Sequence, residues 1–251
     1  YCSDFTTLAT CVHGDWVVES CAGNLECDNG KSRCVCNETD PNDCYQINGT
    51  IKFGHYLKSS PFTTWEPIEW QIIKIEEDRL LLWSKNVIDQ RPYHINMTNV
   101  TWETSTIRSW LNGLGASHNE AGIDYTTDNF LTKAFTAQEL SQIITVTNQN
   151  PNNPNYTSTQ GGNATQDRVF LLSYAEKRAT GIVLADATEY AANAGVFTNS
   201  AHSGKLGAYW LRTPGATNQS AMIIVLTSQE SMYDVTSTSA GIRPAVWIKK
   251  P

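Results

Sequence analysis

Seven cysteines crowd into the first 44 residues, as Cys2, Cys11, Cys21, Cys27, Cys34, Cys36 and Cys44, and the rest of the 251-residue chain carries none. A segment that short cannot bury an apolar core of its own, so cross-links have to hold it together. A zinc site is the competing reading. It asks for closely paired cysteine knuckles, which these spacings do not supply, and disulfides are the stronger expectation. One cysteine of seven is left over, either for an intermolecular bond or as a free thiol. The chain therefore reads as two parts, a Cys-rich module over 1–44 and a body over 45–251 with its own apolar runs.

The body's surface relies on Asn, Thr, Ser and Gln, because only 17% of the chain is charged while 40% is hydrophobic. Net charge is −7, and no Lys/Arg cluster is present, which argues against nucleic acid or an anionic membrane as partner. No apolar run approaches the ~20 residues of a membrane-spanning helix. No secretory leader is recognisable, so a mature chain is expected. Seven N-x-S/T sequons, at Asn37, Asn48, Asn96, Asn99, Asn155, Asn163 and Asn218, suit an extracellular protein. In a eukaryotic source several would carry glycans; in a bacterial one they mean only a polar surface.

Within the body, residues 50–56 (TIKFGHY) read as a first strand. Residues 69–86 read as a hairpin with apolar runs on both sides of a Glu-Glu-Asp-Arg turn. A short helix is expected from Thr104, with Ile107, Trp110 and Leu111 on one face and Gly113 as its stop. Two capping boxes, Thr136 with Glu139 and Ser173 with Glu176, open two more helices. The second follows a buried strand at 168–172. The Asn-rich stretch 147–167 has no apolar period. Beyond Tyr156 it has hardly any anchor, so it is expected to need a partner to order it. Four tightly spaced strands at 208–214, 221–228, 231–237 and 241–250 predict a closing antiparallel meander. The fold class is α+β, with two or three helices early and the sheet mostly late.

The run from Cys21 to Cys44, with its C-x-C pair and a last cysteine after a short loop, resembles an EGF-type module. That resemblance implies the pairs Cys11–Cys27, Cys21–Cys34 and Cys36–Cys44, with Cys2 unpaired or intermolecular. The ordered blocks FGHY, PIEW, LLLWSKNVID, TIRSWLN, FTAQEL, DRVFLLSYAE, YWLRTPG and GIRPAVWI resemble a family of secreted, mostly bacterial domains of unknown function. That family is similar to C-type-lectin-like folds, including formylglycine-generating-enzyme-like and retroelement-diversified variable proteins. The resemblance implies a C-type-lectin-like body whose first and last strands pair, GIRPAVWI against TIKFGHY. It also implies that Arg243 is a structural charge reaching carbonyls or a carboxylate, Glu69 or Asp89, and that Pro244 sits where no ladder donor is required.

No catalytic constellation stands out. The five histidines are scattered, and no nucleophile elbow, P-loop or dinucleotide fingerprint is present. The enzymatic relatives use cysteine and metal chemistry in a body that here lacks cysteine, so shared fold is implied rather than shared activity. No metal site and no cofactor are expected, and the tripeptides WEP and NPN are too loose for a calcium-lectin site. Trp210, Arg212 and Tyr233 are candidates for an aromatic and guanidinium binding surface. Packing in the core is the stronger reading for Trp210. The expected function is a non-enzymatic extracellular adhesive or structural subunit of a surface or filamentous assembly, associating with itself or with other surface proteins and glycans. The alternative is a monomeric module binding glycan or protein.

Overall fold

The computed structural model describes residues 45–182, 184–199, 205–225 and 229–250, and within the first 44 residues the backbone of five short strands. Of these, β1 (Cys2–Asp4), β2 (Thr7–Val12) and β3 (Asp15–Ser20) form an antiparallel sheet, and β4 (Leu25–Asp28) pairs with β5 (Arg33–Cys36). The side chains of 1–44 lie outside the described residues, and with them the expected disulfides of Cys2, Cys11, Cys21, Cys27, Cys34, Cys36 and Cys44 and the sequon at Asn37.

The body begins with β6 (Thr50–Leu57), β7 (Trp65–Ile75) and β8 (Arg79–Ser84). On β7 the buried Ile68, Trp70 and Ile72 alternate with less buried neighbours, the period-two signature of a strand with one face on a core. The expected hairpin is present, its turn at 76–78. It leaves one edge of β8 free, and the closing strand β20 (Ala245–Lys249) takes it, setting Val246, Trp247 and Ile248 opposite Leu82, Leu81 and Leu80. The sheet order is β10-β20-β8-β7-β6, where β10 is Ile143–Ile144, and β13 (Val169–Phe170) also pairs with β20. The expected pairing of the last strand with the first is thus corrected: β7 and β8 stand between them, because a hairpin's own neighbour claims the nearer edge.

A second sheet runs β18-β17-β16-β19-β9. It comprises β9 (Asp89–Gln90), β16 (Tyr209–Pro214), β17 (Ser220–Ile224), β18 (Glu230–Asp234) and β19 (Gly241–Ile242). The meander of β16, β17 and β18 is antiparallel as expected, but β19 lies parallel to β16. The fourth strand of the meander is corrected: the segment 241–249 divides between the two sheets. Arg243 and Pro244 are the crossing. Residues 85–88 cross beside them, with Ser84 donating its N–H to the Pro244 carbonyl and Ile88 donating to that of Ile242. Proline costs nothing where the ladder is already interrupted.

The short antiparallel pair β14 (Thr198–Asn199) and β15 (Leu206–Gly207) and five short helices complete the described body, the helices being α1 (Thr106–Asn112), α2 (Phe130–Ala134), α3 (Ala137–Gln142), α4 (Tyr174–Thr180) and α5 (Glu189–Asn193). The expected α1 is capped by the Ser105 side chain and stopped by Gly113 in the left-handed region. Both capping boxes form, at α3 and α4. The described fold is mixed, mostly antiparallel strand with few helices, and its strands are spread along the chain rather than gathered late.

The Asn-rich loop is also corrected. Strands β11 (Val146–Asn148) and β12 (Thr165–Asp167) pair across its base. The Asn153 amide donates to the Pro214 carbonyl at 2.7 Å, and the Thr159 hydroxyl to that of Ala216 at 2.8 Å. Asn218 donates to the Gln160 carbonyl at 2.7 Å. Side-chain amides and hydroxyls serve here where apolar anchors are missing, so the loop leans on its own body through the β16–β17 turn.

Candidate functional site

A shallow groove lies where the end of β6, the start of β7, the sheet crossing at 85–88 and the start of α5 converge. Its lining includes Tyr56, Lys58, Glu66, Glu69, Asn86 and Thr188, and the space it encloses is only about 10 Å³, the rest being open to solvent. That is room for about one water, so a larger ligand would lie over the groove and against the rings beside it rather than inside it. Local bonds shape its walls. The Glu66 carboxylate accepts the Ser59 N–H at 3.0 Å, Glu189 accepts that of Ser60 at 3.0 Å, and Tyr190 donates its N–H to the Lys58 carbonyl. These bonds tie the β6–β7 connection to α5. Lys85 pairs with Glu69 at 2.9 Å and holds its carboxyl below the ordinary range.

An aromatic cluster stands beside the groove. The Tyr56 ring meets Trp65 and Tyr190 edge-on, both at 6.0 Å, and Tyr190 meets Phe62 at 5.6 Å. Tyr56 is buried, whereas Phe62, Trp65 and Tyr190 keep part of their surface in solvent. The Tyr56 hydroxyl donates to Asp89 on β9 at 2.6 Å. Burial, followed by the Asp89 charge, drives that phenol far up. Burial also raises Asp89 itself, against the pull of the Tyr56 bond. This hydroxyl and carboxylate hold each other and fix the ring at the groove's edge.

The candidates read from sequence sit elsewhere. Trp210 is fully buried, its indole N–H donating to the Arg91 carbonyl at 3.0 Å, and it touches Tyr233 edge-on at 6.4 Å. Arg212 is buried and grips Glu176 with two nitrogens. It also donates to the carbonyls of Leu171 and Gln149 and to Asn150. Only Tyr233 keeps partial exposure. Trp210 and Tyr233 are brought together, but the guanidinium is turned into the fold, so the three make no binding surface. Asn48, Asn96, Asn99, Asn155 and Asn163 are exposed, while Asn218 is half-buried with its amide nitrogen already donating to the Gln160 carbonyl.

Arg243 is buried, its Nε donating to the Ser84 carbonyl at 2.9 Å and another nitrogen to Gln71 at 3.0 Å. Its guanidinium lies 3.4 Å over the Trp83 ring. The expected structural role holds through a carbonyl. The carboxylate partners are corrected, since Glu69 pairs with Lys85 and Asp89 with Tyr56. Aromatic faces and amide oxygens stand in for a carboxylate because Trp83 and Tyr209 occupy that side.

Among the described residues, no group of three His, Cys, Asp or Glu stands close enough to hold a metal. The groove itself went unread in the sequence. Its residues come from four separated segments, and the blocks FGHY, PIEW and LLLWSKNVID were its only visible trace. No curated protein and no solved structure matches the chain. A family model described as a domain of unknown function, DUF6273, matches residues 77–250, more than half of the sequence, and the chain belongs to that family.

Proposed function

We propose that this is a non-enzymatic extracellular recognition module whose body binds carbohydrate over the groove beside Tyr56, Trp65 and Tyr190. The observation that carries this reading is a set of partly exposed aromatic rings beside a groove walled by Lys58, Glu66, Glu69 and Asn86. Sugars are bound by that combination, apolar C–H faces on rings and hydroxyls on fixed polar groups. The exposed sequons and the resemblance to C-type-lectin-like domains agree with it. The adhesive-subunit reading retains the odd cysteine as its support. It loses the Asn-rich loop, which is ordered by its own chain.

The test is a glycan array probed with the full chain, alongside Trp65→Ala and Tyr190→Ala. Binding by the wild type that drops about tenfold or more in both variants is the expected result. A blank array, or variants that bind as the wild type does, would reject the groove.

A further inference from the structure

Three connections meet at Asn218, in the turn between β16 and β17. The Val100 N–H donates to the Asn218 carbonyl at 2.9 Å. The Asn218 amide donates to the Gln160 carbonyl at 2.7 Å, and its side-chain oxygen accepts the Gln160 N–H at 3.3 Å. Asn153 and Thr159 tie the Asn-rich loop to the carbonyls of Pro214 and Ala216. Gly162 comes so close to Thr101 that an added Cβ would stand 2.6 Å from its hydroxyl. The stretches 95–101, 149–163 and 214–220 thus form one loop cluster, and it shares no residue with the groove.

Residues 95–102, 145–166 and 213–225 contain no Asp, Glu, Lys or Arg, in a chain that is 17% charged. Asn, Thr, Ser and Gln stand in their place. Of the five large hydrophobic residues that are exposed among the described ones, three lie here: Ile95 at 43%, Met97 at 47% and Tyr156 at 43%. Ile95 and Met97 sit on a tip fixed at both sides, His94 donating its N–H to the Val235 carbonyl and Val100 to that of Asn218. The Tyr156 N–H is held by Asn153. The loop needs no second chain for its order; it offers one a surface.

The missing charge points to the occupant. At net charge −7 two copies of the chain repel one another, and a two-fold contact sets the same patch against itself, so a charge near the axis meets its like. An uncharged patch avoids that repulsion. Side-chain amides and hydroxyls carry donor and acceptor together, so such a patch is complementary to its own copy. Met and Tyr are enriched, and charged residues depleted, at the cores of protein interfaces. The three stretches together supply about the 20 residues per side that a standard interface takes.

We propose that this loop cluster is a self-association surface, on which a second copy of the chain docks about a two-fold axis with Ile95, Met97 and Tyr156 as apolar anchors. The surface must be bare for this, so the sequons inside it, at Asn96, Asn99 and Asn155, carry no glycan. The proposal goes beyond the carbohydrate reading and stands without it.

The test is sedimentation of the full chain, produced in a bacterial host, across a concentration series. A monomer–dimer equilibrium is expected, with a Kd that changes less than about twofold between ~0.05 and ~0.5 M NaCl. Met97→Asp and Tyr156→Asp should each weaken it about tenfold or more at unchanged Tm, since both side chains are exposed. Phe197→Asp, at an exposed ring outside the cluster, should leave it as it is. A chain that stays monomeric throughout overturns the proposal. So does a dimer that ignores both cluster substitutions, as an inter-chain disulfide would, one that Phe197→Asp weakens equally, or one that salt dissociates. Glycan on Asn96, Asn99 or Asn155 of the native protein overturns it as well. None of these outcomes bears on the groove, which the glycan array tests separately.

Discussion

Arg243 is the residue on which the two sheets turn, and its cost of removal can be argued from its neighbours. Arg243→Ala leaves the Ser84 carbonyl and the Gln71 amide oxygen without their donor and uncovers the Trp83 face in a buried place. Each stranded acceptor costs on the order of 1 kcal/mol or more, and a cavity is added, so a loss of about 3 kcal/mol in urea unfolding is expected. A loss below about 1 kcal/mol would mean the crossing is held by its backbone alone. Burial brings the guanidinium pKa down to about 10, still well above neutrality, so the charge persists at pH 7. Two carboxyls act on acid stability in opposite directions. At Glu176 burial pushes the pKa up, but Arg212 and the Ser173 donors outweigh it and the net value lies below the ordinary 4.5. The stabilisation is therefore complete above the unfolded value and is lost as pH falls through the lower folded one. Asp89 is raised by burial, so its cost is present at neutral pH and is relieved on acidification. Between pH 7 and 3, Glu176→Gln should flatten the fall of the urea midpoint and Asp89→Asn should steepen it. Parallel curves for all three proteins would refute this assignment.

Capping boxes and hairpin turns were legible in the sequence because each is fixed by residues three or four apart. Thr136 with Glu139, Ser173 with Glu176 and the 76–78 turn all lie where local chemistry puts them. Edge choice and sheet crossing were not legible, since both depend on which distant strand arrives. Nothing in GIRPAVWI distinguishes a single strand from one divided between two sheets. Arg212 misled as a surface candidate for the same reason, while Trp210 packs in the core as its stronger reading had it: a strand covered on both faces, as β16 is, shows no alternation to separate core from surface. Gly54 illustrates how one local element depends on another. It sits at an irregularity of the β6–β7 pairing with φ +68, and its N–H donates at 2.9 Å to Glu139, the capping-box residue of α3. An added Cβ would stand 2.6 Å from the Phe135 ring and 2.7 Å from the Ala134 carbonyl. Gly54→Ala therefore combines backbone strain with a clash between β6 and the end of α2, and a loss of about 2 kcal/mol or more is expected in chemical denaturation. An unchanged midpoint would show that this bulge yields freely.

The family match begins at residue 77, yet the sheet it cuts into does not. β7 supplies the neighbour of β8, and β6 supplies the edge beyond it, so a chain starting at 77 would expose Leu80 and Leu82 on β8 to water. Upstream of β6 the chain is still committed to the body. Tyr45 is only 2% exposed, Asn48 donates its N–H to the Ile72 carbonyl, and Ile72 donates in return to that of Gly49. The folding unit should therefore begin near residue 45, after the last cysteine, and owe nothing to the seven cysteines before it. Its core is continuous through both sheets, from Tyr45 and Trp70 to Trp210 and Ile248. Expression of residues 45–251 should give one cooperative thermal transition that is insensitive to reducing agent, while residues 77–251 should give none. A truncation at 45 that melts without cooperativity would show that the Cys-rich segment is part of the same domain. A truncation at 77 that folds would show that β6 and β7 are an attachment to the family's fold, and the groove with them.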